Sequence, residues 1–258
     1  MFRNWLVSQE RALRARLEGV KGEEGFTLIE MSIVLVIIGL LIGGVLKGQE
    51  LVNSTRLKAV VSQADAVKAA YNTFVDRYQM QPGDYNAAVA QISATGVDDG
   101  DGSGLIGATV ATAALVRSTD VSTAAGENLN FWAHLATSRL LSNITVDTAN
   151  ASAMAAASGG VLAGRINGTT WAVINGTANA RVADWLRLQY GSGAPAASIN
   201  ANQAGEVDRK YDDNNAVNGA IQAGPNAGTA GTDCSTAAGV YLGANQTRVC
   251  TIHFDLNN

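Results

Sequence analysis

The chain has 258 residues, of which 47% are hydrophobic and only 16% are charged, with 28 glycines and a formal net charge of −4. This length allows one domain of ordinary size together with one membrane-spanning helix. The acidic balance argues against a nucleic-acid partner, because phosphate recognition needs lysines and arginines gathered on one surface and no such cluster is visible.

Residues 1–25 are a charged segment with five basic and four acidic side chains. An apolar run follows, in which Glu30 is the only ionisable residue between Phe26 and Leu46. A helix of this length spans about 30 Å, the thickness of a bilayer core, and lipid forces such a run to be helical. We therefore expect a membrane-spanning helix over residues 26–48, in which the carboxylate of Glu30 is costly enough to suggest a function.

The sequence from Gly25 to Glu30, GFTLIE, and the apolar run behind it resemble the N-terminal signature of type IV pilins and of the pseudopilins of type II secretion systems. The resemblance implies that a prepilin peptidase cleaves between Gly25 and Phe26, removes residues 1–25 and methylates the new amino terminus of Phe26. It also implies that Glu30 meets the terminal amine of a neighbouring subunit during assembly. The alternative is an ordinary signal anchor, which explains the hydrophobicity but not Gly25 together with Glu30.

Two features of the helix bear on its packing. Gly39 and Gly43 form one GxxxG pair and Gly44 and Gly48 another, a spacing that permits close helix contact in lipid. Behind them, residues 49–84 change to an amphipathic pattern, which predicts one continuous helix from about Thr27 to about Gln79. The apolar positions of that pattern are Leu57, Val60, Val61, Ala64, Val67, Tyr71, Phe74, Val75 and Tyr78.

Pro82 and Gly83 end the long helix. Together with Tyr78 and Asp84 they resemble a tyrosine followed by Pro-Gly-Asp in a group of pilin-like proteins. Residues 85–258 should then form a C-terminal globular domain of pilin-like α+β class, with the long helix packed on a small antiparallel sheet. Its predicted elements are helices over 126–142 and 201–209 and strands at Thr169–Ile174, Leu186–Tyr190, Val217–Gln222 and Cys250–Leu256.

One acidic loop in this domain has the first half of a calcium-binding pattern. Asp99, Asp101 and Ser103 alternate and are followed by glycine, but the twelfth position is Val110 and not the closing glutamate. The loop is either a Ca²⁺ site or a solvated acidic turn. No other cofactor is expected.

A second acidic pair, Asp212 and Asp213, lies in residues 208–214, which resemble a D-x-K-x-DD-G element of the same pilin-like group. Here Asn214 replaces the usual glycine. The two carboxylates are either a second Ca²⁺ site or a turn that hydrogen bonds to its own backbone.

Two cysteines, Cys234 and Cys250, occur near the end of a domain that should be exported. An even count in an oxidising compartment favours one disulfide, with two buried thiols as the alternative. A zinc site is disfavoured because His253 has no companion, and His134 fits a surface or packing role better than a ligand role.

The sequence has no nucleophile elbow, no phosphate-binding loop, no dinucleotide fingerprint and no histidine pair on a helix. We therefore interpret the protein as a structural subunit and not an enzyme. It would enter the inner membrane as a precursor and then assemble into a type IV pilus-like filament at the cell surface, with itself or with other pilins. The alternative is a minor pilin or pseudopilin that acts as a tip-located binding or adhesion module or as a type II secretion component.

Overall fold

A computed structural model describes residues 26–107, 126–146, 160–178, 181–191, 196–225, 233–243 and 247–257. Within them lie helices α1 (Leu28–Tyr78), α2 (Ala88–Gln91), α3 (Glu127–Thr137) and α4 (Ala201–Tyr211), and strands β1 (Thr169–Ala178), β2 (Arg181–Tyr190), β3 (Ile221–Gly224) and β4 (Thr251–Asp255). The chain divides into two compact units between Val52 and Asn53.

The described part of the first unit is the N-terminal portion of α1, which is exposed along its whole length. Helix α1 has 51 residues, so its predicted span from about Thr27 to about Gln79 is confirmed. Among the helices of the described residues, α1 alone is long and apolar enough to cross a membrane, judged by length and composition.

In the second unit, the remainder of α1 buries one face against the sheet. The buried positions are Leu57, Val60, Val61, Ala64, Val67, Ala70, Tyr71 and Phe74. Trp171 on β1 fixes this packing, because its Nε1 donates to Oε1 of Gln63 at 2.8 Å. The predicted amphipathic half and its packing on the sheet are therefore confirmed.

The four described strands form one antiparallel sheet in the order β1-β2-β4-β3. Alternate residues of β1 and β2, such as Trp171 and Leu188, enter the same core as the buried face of α1. On β4 the ring of Phe254 meets that of Trp171 edge to face, with centroids 5.7 Å apart. The α+β class and the antiparallel sheet are as the sequence predicts.

The first hairpin is longer than predicted. Strand β1 continues past Ile174 to Ala178, and β2 begins at Arg181 and not at Leu186. Asn175, Gly176 and Asp184 among the added residues have low strand propensity, yet Asn175 lies opposite Asp184 and donates to its Oδ1 at 2.8 Å. This buried cross-strand hydrogen bond extends the pairing beyond the apolar residues that the prediction relied on.

Two further boundaries differ from the prediction. The helix predicted over 126–142 ends at Thr137, because Arg139 adopts a left-handed φ of 62° and the Leu140 amide turns back to the Leu135 carbonyl. The strand predicted at Val217–Gln222 begins only at Ile221, because Oδ2 of Asp212 accepts its amide and holds the preceding residues in a turn.

Strand β4 is buried on both faces. Its apolar residues Ile252 and Phe254 are buried, and the alternate residues Thr251, His253 and Asp255 are buried as well. The position of β4 between β2 and β3 explains why its backbone is covered, and the burial of these polar residues shows that the second face of the strand is covered too.

Cys234 and Cys250 form a disulfide with an S–S distance of 2.03 Å. Cys250 precedes β4 and bridges to Ile199, while Cys234 lies in a loop where its amide donates to the Pro225 carbonyl and its carbonyl accepts from Leu242. The bond therefore attaches a loop with little apolar content to the edge of the buried core.

Replacing both cysteines by serine should lower the free energy of unfolding by about 3 kcal/mol, because the disulfide closes a loop over a separation of 16 residues. Denaturant unfolding of the full chain in detergent, without reductant, measures this difference. Limited proteolysis should show new cleavage within Asp233–Gly243. Reduction of the wild-type protein should reproduce both effects, whereas an unchanged midpoint in the serine variant would contradict the role assigned to the bond.

Candidate functional site

The beginning of α1 is a capping box. Thr27 precedes the first helical residue, Oε2 of Glu30 accepts from the Thr27 amide at 2.7 Å and from its hydroxyl at 2.8 Å, and the Glu30 amide donates to the Thr27 hydroxyl at 3.3 Å. This reciprocal pair satisfies amides that the first helical turn leaves free. The sequence analysis gave Glu30 no partner within its own chain. The spacing of Thr27 and Glu30, three residues apart, is nevertheless the pattern of a capping box.

The helix behind the capping box exposes almost only apolar side chains. Phe26 is 78% and Leu28 92% exposed, and the most apolar window of the helix, with mean hydropathy 2.6, has none of its residues buried. A helix in the core of a soluble protein would bury this face, so the segment needs an apolar environment that the described residues do not supply.

Three carboxylates meet at a point that we call the acidic junction, formed by Asp84, Asp101 and Glu127. One oxygen from each lies within 4.8 Å of those of the other two. Asp84 follows the end of α1, Asp101 lies in the acidic loop and Glu127 begins α3, so three distant segments converge. Sequence reasoning noted each segment separately and did not join them.

Backbone amides occupy most oxygens of the acidic junction. Asp84 accepts the Ser103 amide at Oδ1, at 2.8 Å, and the Gly104 amide at Oδ2, at 2.9 Å. Glu127 accepts the Asp101 amide at Oε1, at 2.9 Å, and the Gly107 amide at Oε2, at 2.7 Å. The loop has no regular secondary structure, so these carboxylates accept the backbone N–H groups that a helix or a sheet would otherwise pair.

Two glycines allow the close approach at the junction. Gly83 has a φ of +96°, and a Cβ there would meet the Glu127 carbonyl. A Cβ on Gly100 would collide with the backbone of Asp84. The glycine of the Pro-Gly-Asp sequence is therefore required by backbone geometry, in addition to ending the helix.

Burial raises the pKa of Asp84 and of Glu127, while the amides of Gly104 and Ser103, and of Asp101 and Gly107, oppose the shift. The exposed carboxyl of Asp101 has a lowered pKa, chiefly because Ser103 donates to it. The junction is thus a set of mutually repelling acids whose charge is balanced by amide dipoles.

The predicted calcium ligands of this loop do not come together as a set. Asp101 joins the acidic junction, Ser103 contributes its amide to Asp84, and Asp99 instead accepts from the Val89 amide at 2.8 Å. The carboxylates that could share an ion here are therefore Asp84, Asp101 and Glu127 in place of the predicted group. Calcium binding at this loop stays a prediction.

His134 ties the same segments together from the buried side. Its Nδ1 accepts from the Gly83 amide at 2.9 Å, its Nε2 lies 2.8 Å from the Asp98 carbonyl, and its ring stacks on Phe74 with centroids 5.9 Å apart. The Gly83 hydrogen bond requires an unprotonated Nδ1, so the neutral ring donates from Nε2. His134 has the expected packing role, but it is fully buried and not a surface residue.

Asp212 and Asp213 lie beside a third carboxylate, Asp208, at the C-terminal end of α4. One oxygen from each lies within 4.8 Å of the others. Oδ2 of Asp208 accepts from the Tyr241 hydroxyl at 2.7 Å. Asp208 is part of the stretch that resembles a pilin-like element, but nothing in the sequence marked its carboxylate as a candidate metal ligand.

Comparison with known proteins identifies the N-terminal segment. A family model of the prokaryotic N-terminal methylation motif matches residues 20–46, which include Gly25, Phe26 and Glu30. The chain therefore carries the signature of type IV pilin and pseudopilin precursors, which implies processing by a prepilin peptidase and assembly with other pilins. No curated protein and no solved structure matches the chain.

The neutral state of His134 should make its contribution to stability depend on pH. Burial lowers the pKa of His134 despite the opposing charges of Asp98 and Asp99, so below a pH of about 6.5 the unfolded chain binds a proton that the folded chain rejects. Stability from this residue is present at higher pH and is lost as pH falls, by at most about 1.4 kcal/mol per pH unit.

We expect His134→Asn to be less stable than wild type at pH 7.5, with a gap that narrows towards pH 5.5. Denaturant unfolding in detergent at several pH values measures the gap, and the other titrating groups, including the buried His253, cancel between the two proteins. A gap that stays constant or widens as pH falls would show that the residue does not titrate as described.

Proposed function

We propose that this chain is the precursor of a structural subunit of a type IV pilus-like filament. The precursor sits in the inner membrane through residues 26–48, a prepilin peptidase cleaves it between Gly25 and Phe26 and methylates Phe26, and the mature protein polymerises through α1. The N-terminal methylation motif at residues 20–46 supports the processing steps.

The exposed apolar face of α1 is the observation that carries this proposal. A window of mean hydropathy 2.6 with no buried residue is incompatible with a water-exposed end state. Lipid can cover this face before assembly, and the same helix of neighbouring subunits can cover it afterwards. A subunit that moves from membrane to filament meets both requirements with one surface.

The glycines of α1 support close packing between helices. A Cβ placed on Gly39, Gly43, Gly44 or Gly48 would meet nothing within 4 Å. No contact within the described chain therefore requires these glycines, although each costs about 1 kcal/mol of helix stability relative to alanine. Helix–helix contact with other subunits gives them a purpose.

Glu30 combines two roles in this proposal. Within the chain it caps the first turn of α1 through Thr27. Between chains its negative charge would attract the methylated amine of Phe26 of another subunit, since two opposite charges in an apolar surrounding interact strongly. The fold of the second unit, with a disulfide and many turns, suits a domain exported from the cytoplasm.

Co-expression of the full chain with a prepilin peptidase should yield a mature protein that begins at Phe26 and carries an N-terminal methyl group. Intact mass and N-terminal sequencing measure both changes. Gly25→Val should block cleavage, because a branched side chain next to the scissile bond obstructs the peptidase, whereas Gly19→Val, further back in the leader, should be processed normally. A wild-type protein that retains residues 1–25 would contradict the proposal.

Glu30→Gln should leave membrane insertion intact and reduce incorporation into filaments by about tenfold, the effect of losing an interaction of about 1.4 kcal/mol. Glutamine keeps the capping box, so this variant tests the charge and not the helix start. Glu50→Gln, on the same helix outside the apolar run, is the matched control and should assemble normally.

The readout is the amount of subunit in filaments sheared from cells, compared with the amount in the membrane. Wild-type incorporation of Glu30→Gln would contradict a role for the charge. Gold labelling of an epitope tag distinguishes the two kinds of subunit: label along the filament supports a main structural component, and label at one end alone indicates a minor tip component.

A further inference from the structure

The three carboxylates of Asp208, Asp212 and Asp213, which we call the α4 acidic cluster, are placed where like charges are unfavourable. Asp208 is in the last turn of α4, Asp212 is its C-cap residue and Asp213 follows directly. The C-terminal end of a helix carries a partial negative charge and favours cations. The two basic residues of this turn, Arg209 and Lys210, are exposed, and among the described residues neither forms an ion pair with the cluster.

The buried member of the cluster has an oxygen without a partner. Asp208 is 0% exposed, and while its Oδ2 accepts from the Tyr241 hydroxyl, its Oδ1 has no hydrogen-bond partner. A buried carboxylate oxygen that lacks a donor costs free energy unless a proton or a cation compensates for it. This oxygen sets the cluster apart from an ordinary acidic turn.

The other two carboxylates each use one oxygen to hold the turn. Oδ2 of Asp212 accepts from the Ile221 amide at 2.7 Å, and Oδ1 of Asp213 accepts from the Asn215 amide at 2.9 Å. These bonds fix the two side chains in place beside Asp208 before any ligand arrives. The sequence analysis gave a self-bonded turn and a Ca²⁺ site as alternatives for Asp212 and Asp213. These hydrogen bonds form the turn and are also compatible with metal binding.

The spacing of the cluster suits a shared ion. Calcium binds oxygens at 2.3–2.6 Å, so two oxygens on one ion can lie at most about 5 Å apart. The three carboxylates have oxygens that all lie within 4.8 Å of one another. Their donors are oxygens alone, which favours a hard cation over zinc, and partial exposure leaves room for water to complete the coordination.

We propose that Asp208, Asp212 and Asp213 bind one Ca²⁺ ion, which joins the end of α4 to the loop of Tyr241 and the start of β3. The ion neutralises three carboxylates at the negative end of the helix and gives Oδ1 of Asp208 a partner. Tyr241 is a positioning residue, because its hydroxyl orients Asp208 from the far side.

The protonation behaviour of Asp208 agrees with this site. The pKa of Asp208 is raised to about 6, chiefly by burial and also by the charges of Asp213 and Asp212, while the Tyr241 hydroxyl and the Asn214 backbone oppose the rise. A bound cation reverses the effect of like charges on such a group. The cluster as it stands is therefore strained by charge in a way that Ca²⁺ relieves.

The acidic junction does not support the same inference. There the oxygens of Asp84 and Glu127 already accept backbone amides, and of the described residues none in the junction presents a buried oxygen without a partner. It therefore serves as an internal control for a cluster of three carboxylates that should not need an ion.

The experiment uses the full chain in detergent after treatment with a chelator, titrated with CaCl₂ in an isothermal calorimeter. We expect one Ca²⁺ per chain, an affinity in the range of about 10⁻⁴–10⁻³ M found for extracellular modules, and weaker binding of Mg²⁺. Asp213→Asn should weaken Ca²⁺ binding about tenfold or more, since it removes one charged ligand from an exposed position and leaves the fold intact.

Asp208→Asn should abolish binding, and Tyr241→Phe should weaken it while keeping all three carboxylates. Asp65→Asn, an exposed position on α1, and Asp101→Asn, in the acidic junction, are the matched controls and should bind as wild type. Failure of the wild type to bind Ca²⁺ at about 10 mM, ten times the weakest expected dissociation constant, would overturn the proposal. Ca²⁺ binding of wild-type strength in both Asp213→Asn and Asp212→Asn would also overturn the proposal. Loss of Ca²⁺ binding in Asp101→Asn would overturn it as well.

Discussion

An apolar helix surface that the described residues leave exposed is the constraint on which the rest depends. The first half of α1 presents Phe26, Leu28 and a long series of aliphatic side chains to its surroundings. At about 25 cal/mol per Å² of apolar surface, leaving it in water would cost more than the net stability of a typical domain. This surface therefore needs lipid or other protein around it, and the capping box of Thr27 and Glu30 lies at its start.

The second unit meets a different constraint, which is a shortage of apolar residues outside α1 and the sheet. Glycine, alanine and asparagine dominate the loops, so hydrophobic burial cannot hold them. Three devices take its place: backbone amides directed into Asp84 and Glu127, the neutral ring of His134 between two segments, and the disulfide at Cys250. Each fixes a loop to the core through a few directional bonds.

The sequence predicts the parts of this structure that follow from periodicity. The length of α1, its buried face and the main strands are recoverable, because apolar residues recur at helical or alternating spacing, while the antiparallel arrangement of the strands follows from the resemblance to pilins. The extension of β1 to Ala178 is not, since Asn175 pairs with Asp184 only after the hairpin has closed. The acidic junction is equally hidden, because Asp101 and Glu127 are separated by a connector and their meeting depends on tertiary structure.

The two acidic clusters show why residue type alone does not identify a metal site. Both hold three carboxylates with oxygens within 4.8 Å, and a search of the sequence for alternating aspartates selects Asp101 but misses Asp84 and Glu127 of the first. What separates them is the supply of donors. Amides of the glycine-rich loop donate to both oxygens of Asp84, whereas among the described residues Oδ1 of Asp208 has no hydrogen-bond partner. Asp208 lies at the C-terminal end of α4, where the free backbone groups of the helix itself are carbonyls, and the Tyr241 hydroxyl donates to its Oδ2 and leaves Oδ1 without a partner. A proton or a cation at Oδ1 would compensate for the buried oxygen.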